Sequence, residues 1–306
     1  MYLGLDLGTS SLKALLIGED QQVVAEAAAP LTVSRPHDGW SEQNPADWIA
    51  AAEQVFGALA ADNDLSGVKG VGLSGHMHGA TMLDAADQVL WPCILWNDTR
   101  SAAQAEAMDS DPVWRDVSGN IVFPGFTAPK VQWMRETHPE VFDKIQTILL
   151  PKDYLRLWLT GEKVAEMSDA AGTSWLDTGK RDWSDALLVR AGLSRVTMPR
   201  LVEGSDVSGT LRPDLAKRWG FAPSVPVAGG AGDNAASAIG MGVVKSGQAF
   251  VSLGTSGVLF AANDGFRPDA PTAVHTFCHA LPGMWHQMGV ILAATDALNW
   301  WAGIVG

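Results

Sequence analysis

Cysteine is nearly absent from the chain: its 306 residues include two, Cys93 and Cys278. Two thiols cannot build a disulfide framework, and nothing around them suggests a zinc site. Basic residues are also few. Twenty-one Lys and Arg stand against 34 Asp and Glu, a formal net charge of -13 at pH 7. An acidic surface repels phosphate backbones and anionic lipid heads, so neither nucleic acid nor a membrane surface is an expected partner. Nucleotide binding stays open, because a few local donors can hold a phosphate on an acidic protein. No run of about 18 uncharged apolar residues offers a membrane span. The opening residues Met1 to Asp6 alternate like a strand, without a basic head or apolar signal core, so the expected location is the cytoplasm. Two common phosphate motifs are missing too. No G-x-x-x-x-G-K-[ST] occurs, and Gly4 and Gly8 lack the G-x-G-x-x-G spacing. Gly230-Ala231-Gly232 resembles half of that motif. However, Asp233 would then place a negative charge where a pyrophosphate should lie.

Hydrophobic residues make up 47% of the chain and charged residues 18%, which is enough apolar surface for a large core. The length suggests two domains. The 13 tryptophans are spread along the chain and fit core packing better than a ligand platform. Apolar alternation predicts strands over 2–6, 12–17, 21–28, 68–73, 80–83, 89–96 and 225–228. Asn44-Pro45 reads as a cap followed by proline at the first helical position, leading into Trp48, Ala52, Val55, Phe56 and Leu59 at helical spacing. Further helices are expected over 102–108, 129–136, 152–159, 184–191 (capped by Ser184), 235–241 and 290–301. The last is apolar, ends in the Trp300-Trp301 pair, and calls for a covering partner.

The clearest feature is an internal near-repeat. Asp6-Leu7-Gly8-Thr9-Ser10-Ser11 returns as Ser252-Leu253-Gly254-Thr255-Ser256-Gly257, each copy between two β-rich runs. Glycine lets a backbone approach closely, and turn amides and hydroxyls point outward as donors, so two such turns could grip one triphosphate. A pair of ordinary hairpin turns remains the alternative. Asp6 is a candidate for organising Mg²⁺ through water. Asp233 stands at a helix start, where an acid is at home electrostatically. Cap and general base both remain open for it, and the two are compatible. His275 and His279 are spaced like a metal-binding pair on a helix, but their segment has β character and no matching acid.

These residues resemble the FGGY carbohydrate kinases, within the actin, hexokinase and heat-shock ATPase superfamily. Gly4 to Ser10 is similar to the first phosphate loop, Ser252 to Gly257 to the second, and Gly232 to Ala236 to the segment carrying the catalytic base. Narrower motifs are similar to those of family members acting on D-xylulose: Trp40 to Gln43, Met77-His78-Gly79, Trp96-Asn97-Asp98, Gly125 to Lys130, Leu150 to Arg156 and Ser168 to Thr173. His76 and Ala231 depart from the usual Gln and Gly.

The resemblance implies an α/β, actin-like (ribonuclease H-like) ATPase fold. It implies a sugar-binding domain over 1–224 and part of an ATP-binding domain over 225–306, because family members continue well past this length. It further implies an ATP- and Mg²⁺-dependent kinase that phosphorylates D-xylulose at O5. In that reading Asp233 is the base and Asp6 positions Mg²⁺. Met77, His78, Asp233, Asn234, Trp96 and Asp98 face the sugar, and Gly8, Thr9, Ser10, Gly254, Thr255 and Ser256 face the phosphates. Lys13 is a surface lysine within reach of a phosphate. A kinase for ribulose, gluconate or glycerol, a non-catalytic sugar-binding lobe and an ATPase acting on protein are the alternatives. A homodimer stays open.

Overall fold

The computed structural model describes residues 1–254, 257–291 and 293–305. The alternation at the start of the chain folds into three antiparallel strands, Tyr2–Leu7, Ser11–Ile17 and Val23–Pro30. Leu3, Leu5 and Leu7 point to one face and are buried, whereas Gly4 and Asp6 turn to the other and stay partly exposed, as a period of two requires. The helix Pro45–Asp62 starts as expected. Asn44 Oδ1 accepts from the Ala46 amide at 3.1 Å, and Pro45 occupies the first turn, where no intrahelical donor is needed.

Strands Val207–Thr210, Pro226–Ala228, Val71–Gly75, Tyr2–Leu7, Ser11–Ile17 and Val23–Pro30 lie in that order in a seven-stranded sheet, and Ala231–Gly232 pairs with Val71–Gly75 as the seventh member. Helices Pro45–Asp62, Pro151–Thr160 and Pro213–Trp219 cover one face. They bring Trp48, Phe56, Leu155 and Trp219 against Leu3, Leu5 and Leu7. The other face opens on a cavity of about 1090 Å³ bordered by Gly4, Asp6, Gly72 and Ser74.

A second, antiparallel sheet runs Ala249–Leu253, Gly257–Asn263, Trp285–Ile291 and His275–Cys278. Its Phe260, Phe277 and Met288 share a core with Met77, Trp114, Phe126 and Trp175 of the preceding segment. Asn120 locks the two together: its Nδ2 donates to Thr276 O at 2.9 Å and its Oδ1 accepts from Thr276 N at 2.8 Å.

Several expected elements change shape. The strand expected over 89–96 shrinks to Cys93–Ile94 plus a single bridge at Val89. Pro92 interrupts it because a proline has no amide to donate to a ladder. The helix expected over 290–301 begins later, as Thr295–Val305. Val290 and Ile291 instead pair with Val258 and Gly257, so ladder hydrogen bonds override an apolar pattern that is ambiguous over a few residues. Among its described side chains, Leu298, Trp300, Trp301, Ile304 and Val305 are exposed. The change from one sheet to the other falls after Gly232, because Pro226–Ala228 and Ala231–Gly232 still belong to the first sheet. Among the described residues no helix is long and apolar enough to cross a membrane.

Between these last two strands the chain passes through Gly229 and Gly230. Gly230 has φ +75°, and a Cβ there would lie 2.1 Å from Leu73 O. Gly230→Ala should therefore cost roughly 2–4 kcal/mol of stability through left-handed strain plus overpacking. Urea unfolding checks this, and a loss under about 1 kcal/mol would show that the backbone can relax there.

Candidate active site

The register of the large sheet brings three chain segments to one edge. Tyr2–Leu7 and Ala231–Gly232 both run parallel to Val71–Gly75, with Leu7 and Gly232 each opposite Gly75. The chain leaves all three strands on the same side, as Gly8-Thr9-Ser10, His76-Met77-His78 and Asp233-Asn234. The carboxyl ends of parallel strands are where open α/β sheets bind ligands.

The first turn is braced before any ligand arrives. The Gly8 amide donates to Ser11 O at 3.0 Å, so it closes the turn and is not itself a free donor. Gln43 Nε2 donates to Thr9 O at 2.7 Å, and Trp96 Nε1 donates to Thr9 Oγ1 at 3.0 Å. Because the Thr9 hydroxyl accepts from the indole, its own proton is free to point elsewhere. Trp96, expected beside a sugar, thus touches the first turn, and the residue is 37% exposed. Asp98 is buried. Its oxygens accept from Arg100 and from the Ser41 amide, and Arg100 also reaches Glu42. These contacts tie the Trp40–Gln43 and Trp96–Arg100 loops together. Lys13 is exposed and lies across the strand pair from Asp6.

Asp6 accepts from Ser74 Oγ at 3.0 Å through one oxygen. A carboxylate with an oxygen to spare suits Mg²⁺, which keeps most of its waters and takes one or two protein carboxylates beside phosphate oxygens. Asp233 is part-buried at the first position of the helix Asp233–Gly240, and Gly232 is the cap residue. Its Oδ1 accepts from the amide and the side chain of Asn234, at 2.7 and 2.9 Å. Burial, with the charge of Asp6 adding, pushes its carboxyl up to about 6 against the pull of those two donors.

Met77 is buried with its sulfur against Gly232, where a Cβ would lie 3.0 Å from Sδ. His78 adopts φ +70°, which is uncommon for a residue with a side chain. Its carbonyl accepts from Lys130 Nζ at 2.8 Å and Thr127 Oγ1 at 3.1 Å. Its Nδ1 lies 2.8 Å from Gly172 O. A carbonyl only accepts, so Nδ1 carries the proton and Nε2 presents a lone pair. Burial and the neighbouring Lys130 push the imidazole down to about 3, which keeps it neutral.

In the second turn, Gly254 is exposed and its carbonyl accepts from Thr295 N at 3.1 Å. Thr255 and Ser256 lie outside the described residues. Each copy of the repeat does join two antiparallel strands, pairing Leu7 with Leu12 and Leu253 with Gly257.

The sequence profile of the FGGY family of carbohydrate kinases, N-terminal domain, matches residues 1–240. The chain belongs to the FGGY family of carbohydrate kinases. It is 52% identical over 307 residues to a xylulose kinase of Escherichia coli (strain K12), covering 100% of this chain and 63% of that protein. It is 39% identical over 305 residues to a xylulose kinase of Bacillus subtilis (strain 168), covering 97% and 60%. The chain thus spans less than two thirds of the length of these curated relatives. A solved "xyloylose kinase" from Brucella ovis superimposes with a TM-score of 0.98 at 62% identity, over 100% of this chain and 63% of that one. A glycerol kinase of Plasmodium falciparum with ADP, at 18% identity and a TM-score of 0.89, shows that the actin-like ATPase fold is shared.

Within that FGGY fold, four supporting residues had no role assigned from sequence: Gln43, Ser74, Lys130 and Gly172. Three of them sit in motifs that stood out as family-like, but sequence spacing cannot show that Gln43 reaches Thr9 or that Gly172 abuts His78. The electrostatics of the site are testable without turnover. Asp233 should titrate near 6 by carboxyl NMR, and Asp6→Asn should lower that value, because a nearby negative charge is removed. An unchanged titration in the variant would mean that Asp6 does not act on Asp233.

Proposed function

We propose that this chain carries the sugar site, the catalytic base and the first phosphate turn of an ATP-dependent xylulokinase, which transfers the γ-phosphoryl group to O5 of D-xylulose. The observation that carries this reading is the meeting of Asp233, Asp6 and the braced Thr9 turn at one sheet edge, set by the shared register on Val71–Gly75. The xylulose kinases among the relatives support the choice of sugar.

The chemistry follows from the groups present. Phosphoryl transfer needs an in-line nucleophile, a proton acceptor and charge neutralisation more than covalent catalysis. Asp233 takes the proton from the O5 hydroxyl as the O5–phosphorus bond forms and the bond to the bridging oxygen of ADP breaks. A carboxyl raised to about 6 is ionised at neutral pH yet more basic than an ordinary aspartate, which favours that role. The bare Nε2 of His78 accepts from a sugar hydroxyl, and Asn234 stands beside the base. The Thr9 hydroxyl and the Thr9 and Ser10 amides face the phosphates. The family resemblance assigns Gly254, Thr255 and Ser256 to the phosphates as well. Mg²⁺, when bound beside Asp6, neutralises developing charge on the phosphate oxygens.

In the full-length protein that carries this chain, Asp233→Ala should lower kcat by roughly 10²–10⁴-fold and leave the KM for D-xylulose within about tenfold. In the unaltered enzyme, kcat/KM for the sugar should rise with pH through about 6 and then level off, because the base must be ionised. Near-normal kcat with a large rise in KM would make Asp233 a binding residue instead.

A further inference from the structure

The Asp233 carboxylate has little of its own to hold it in place. Among the described residues, its hydrogen-bond partner is Asn234, the next residue in the chain. Its position relative to a sugar therefore depends on the backbone that leads into it. That backbone is Gly229-Gly230-Ala231-Gly232, and three glycines in four residues make it the most pliable kind of segment. Something outside the segment has to fix it.

Two buried groups do so. Arg156 Nη1 donates to Ala228 O at 2.7 Å, and Arg156 Nη2 donates to Gly229 O. Nearer to Asp233, the Gly232 amide donates to Ser168 Oγ at 3.1 Å. The polarity of this second contact is fixed by what lies behind it. Ser168 Oγ lies 2.9 Å from Glu166 Oε2, and a carboxylate only accepts, so the serine proton points to Glu166 and a lone pair is left for Gly232. Glu166 is anchored in turn. It accepts the Ser168 and Asp169 amides at 2.7 and 2.9 Å and lies 3.4 Å from Lys152 Nζ.

Lys152, Asp153, Arg156, Glu166 and Asp169 are all 0% exposed. Isolated, each buried charge would be costly, and a set of this size persists only when its members pair with one another. Lys152 Nζ lies 2.7 Å from Asp153 and 2.9 Å from Asp169. Burial, with Asp153 and Glu166 adding to it, pushes the Asp169 carboxyl up to about 8. None of these charges touches the sugar or phosphate groups assigned above. The contacts that lead out of the cluster toward the site end on Ala228, Gly229 and Gly232.

We infer that Ser168, backed by Glu166 and Lys152, is a positioning residue for Asp233: it fixes the Gly232 amide and so aims the base at the sugar hydroxyl. This rests on the assignment of Asp233 as the base. The pliable glycine run lets the chain thread between Leu73 and Gly204, and the rigid charge cluster restores the accuracy that the glycines give up. Losing the Ser168 hydroxyl frees the carboxylate to wander by a fraction of an ångström. Such a shift acts on the transition state more than on ground-state binding of the sugar.

The test is steady-state kinetics per folded enzyme on the full-length protein, with D-xylulose and ATP, for Ser168→Ala, Ser168→Cys and the control Asp233→Ala. Ser168→Ala should lower kcat by about 10–100-fold, with the KM for D-xylulose within about threefold. Ser168→Cys keeps the buried volume and offers only a weak sulfur acceptor, so it should show a similar fall, and it decides the matter if the alanine variant does not fold. A merely structural serine would lower the melting temperature and leave kcat per folded molecule unchanged. Wild-type kcat in either folded variant, with Asp233→Ala inactive, overturns the inference and leaves the base assignment standing. Near-normal kcat in Asp233→Ala overturns both.

Discussion

Two strands from opposite ends of the first sheet's chain, Tyr2–Leu7 and Ala231–Gly232, use the same short partner, Val71–Gly75, and both run parallel to it. Every group in the candidate site depends on that shared register. Because side chains alternate along a strand, a slip of one residue would turn Asp6 into the helical core and a leucine into the cleft. The inward leucines Leu3, Leu5 and Leu7 make that slip expensive, since each is buried against the helices. Hydrophobic packing on one face of the sheet thus fixes the chemistry on the other.

The close approach of these strands also explains the small residues around them. Gly75 and Gly232 are opposite one another in the ladder, and a side chain on Gly232 would meet Met77. Glycines that permit such proximity weaken the backbone's own preference for one conformation. The structure compensates with contacts from outside the strands. Gln43 and Trp96 fix Thr9, Lys130 and Thr127 fix the left-handed His78, and Arg156 and Ser168 fix the approach to Asp233. Most of these braces are buried, where a hydrogen bond is hard to replace with water and leaving it unmade is costly.

Much of this was legible in the sequence, for identifiable reasons. The alternation of the first strands, the Asn44-Pro45 start and the first Gly-Thr-Ser turn are local patterns, and each folds as a local pattern should. Asp233 was legible as an acid at a helix start, and the family resemblance singled it out. What sequence could not supply was the partner of each buried polar group. The 3.0 Å contact of the Trp96 indole with Thr9, 87 residues away in sequence, is one such partner. The contacts of Asp98 with Arg100 and the Ser41 amide are others. The helix expected over 290–301 failed at its start because an apolar run suits a strand as well as a helix. The pairing of Val290 with Val258 decides that case, and it lies 32 residues away in sequence.

The central claim is that this sheet edge directs a phosphoryl group onto a sugar hydroxyl and not onto water or protein. The direct measurement is ³¹P NMR of the products formed by the full-length protein with ATP, Mg²⁺ and a panel of ketoses and polyols. The account predicts a phosphomonoester coupled to the C5 protons of D-xylulose, formed in step with ADP. Inorganic phosphate released at the same rate with or without any sugar, and no sugar phosphate, would contradict it.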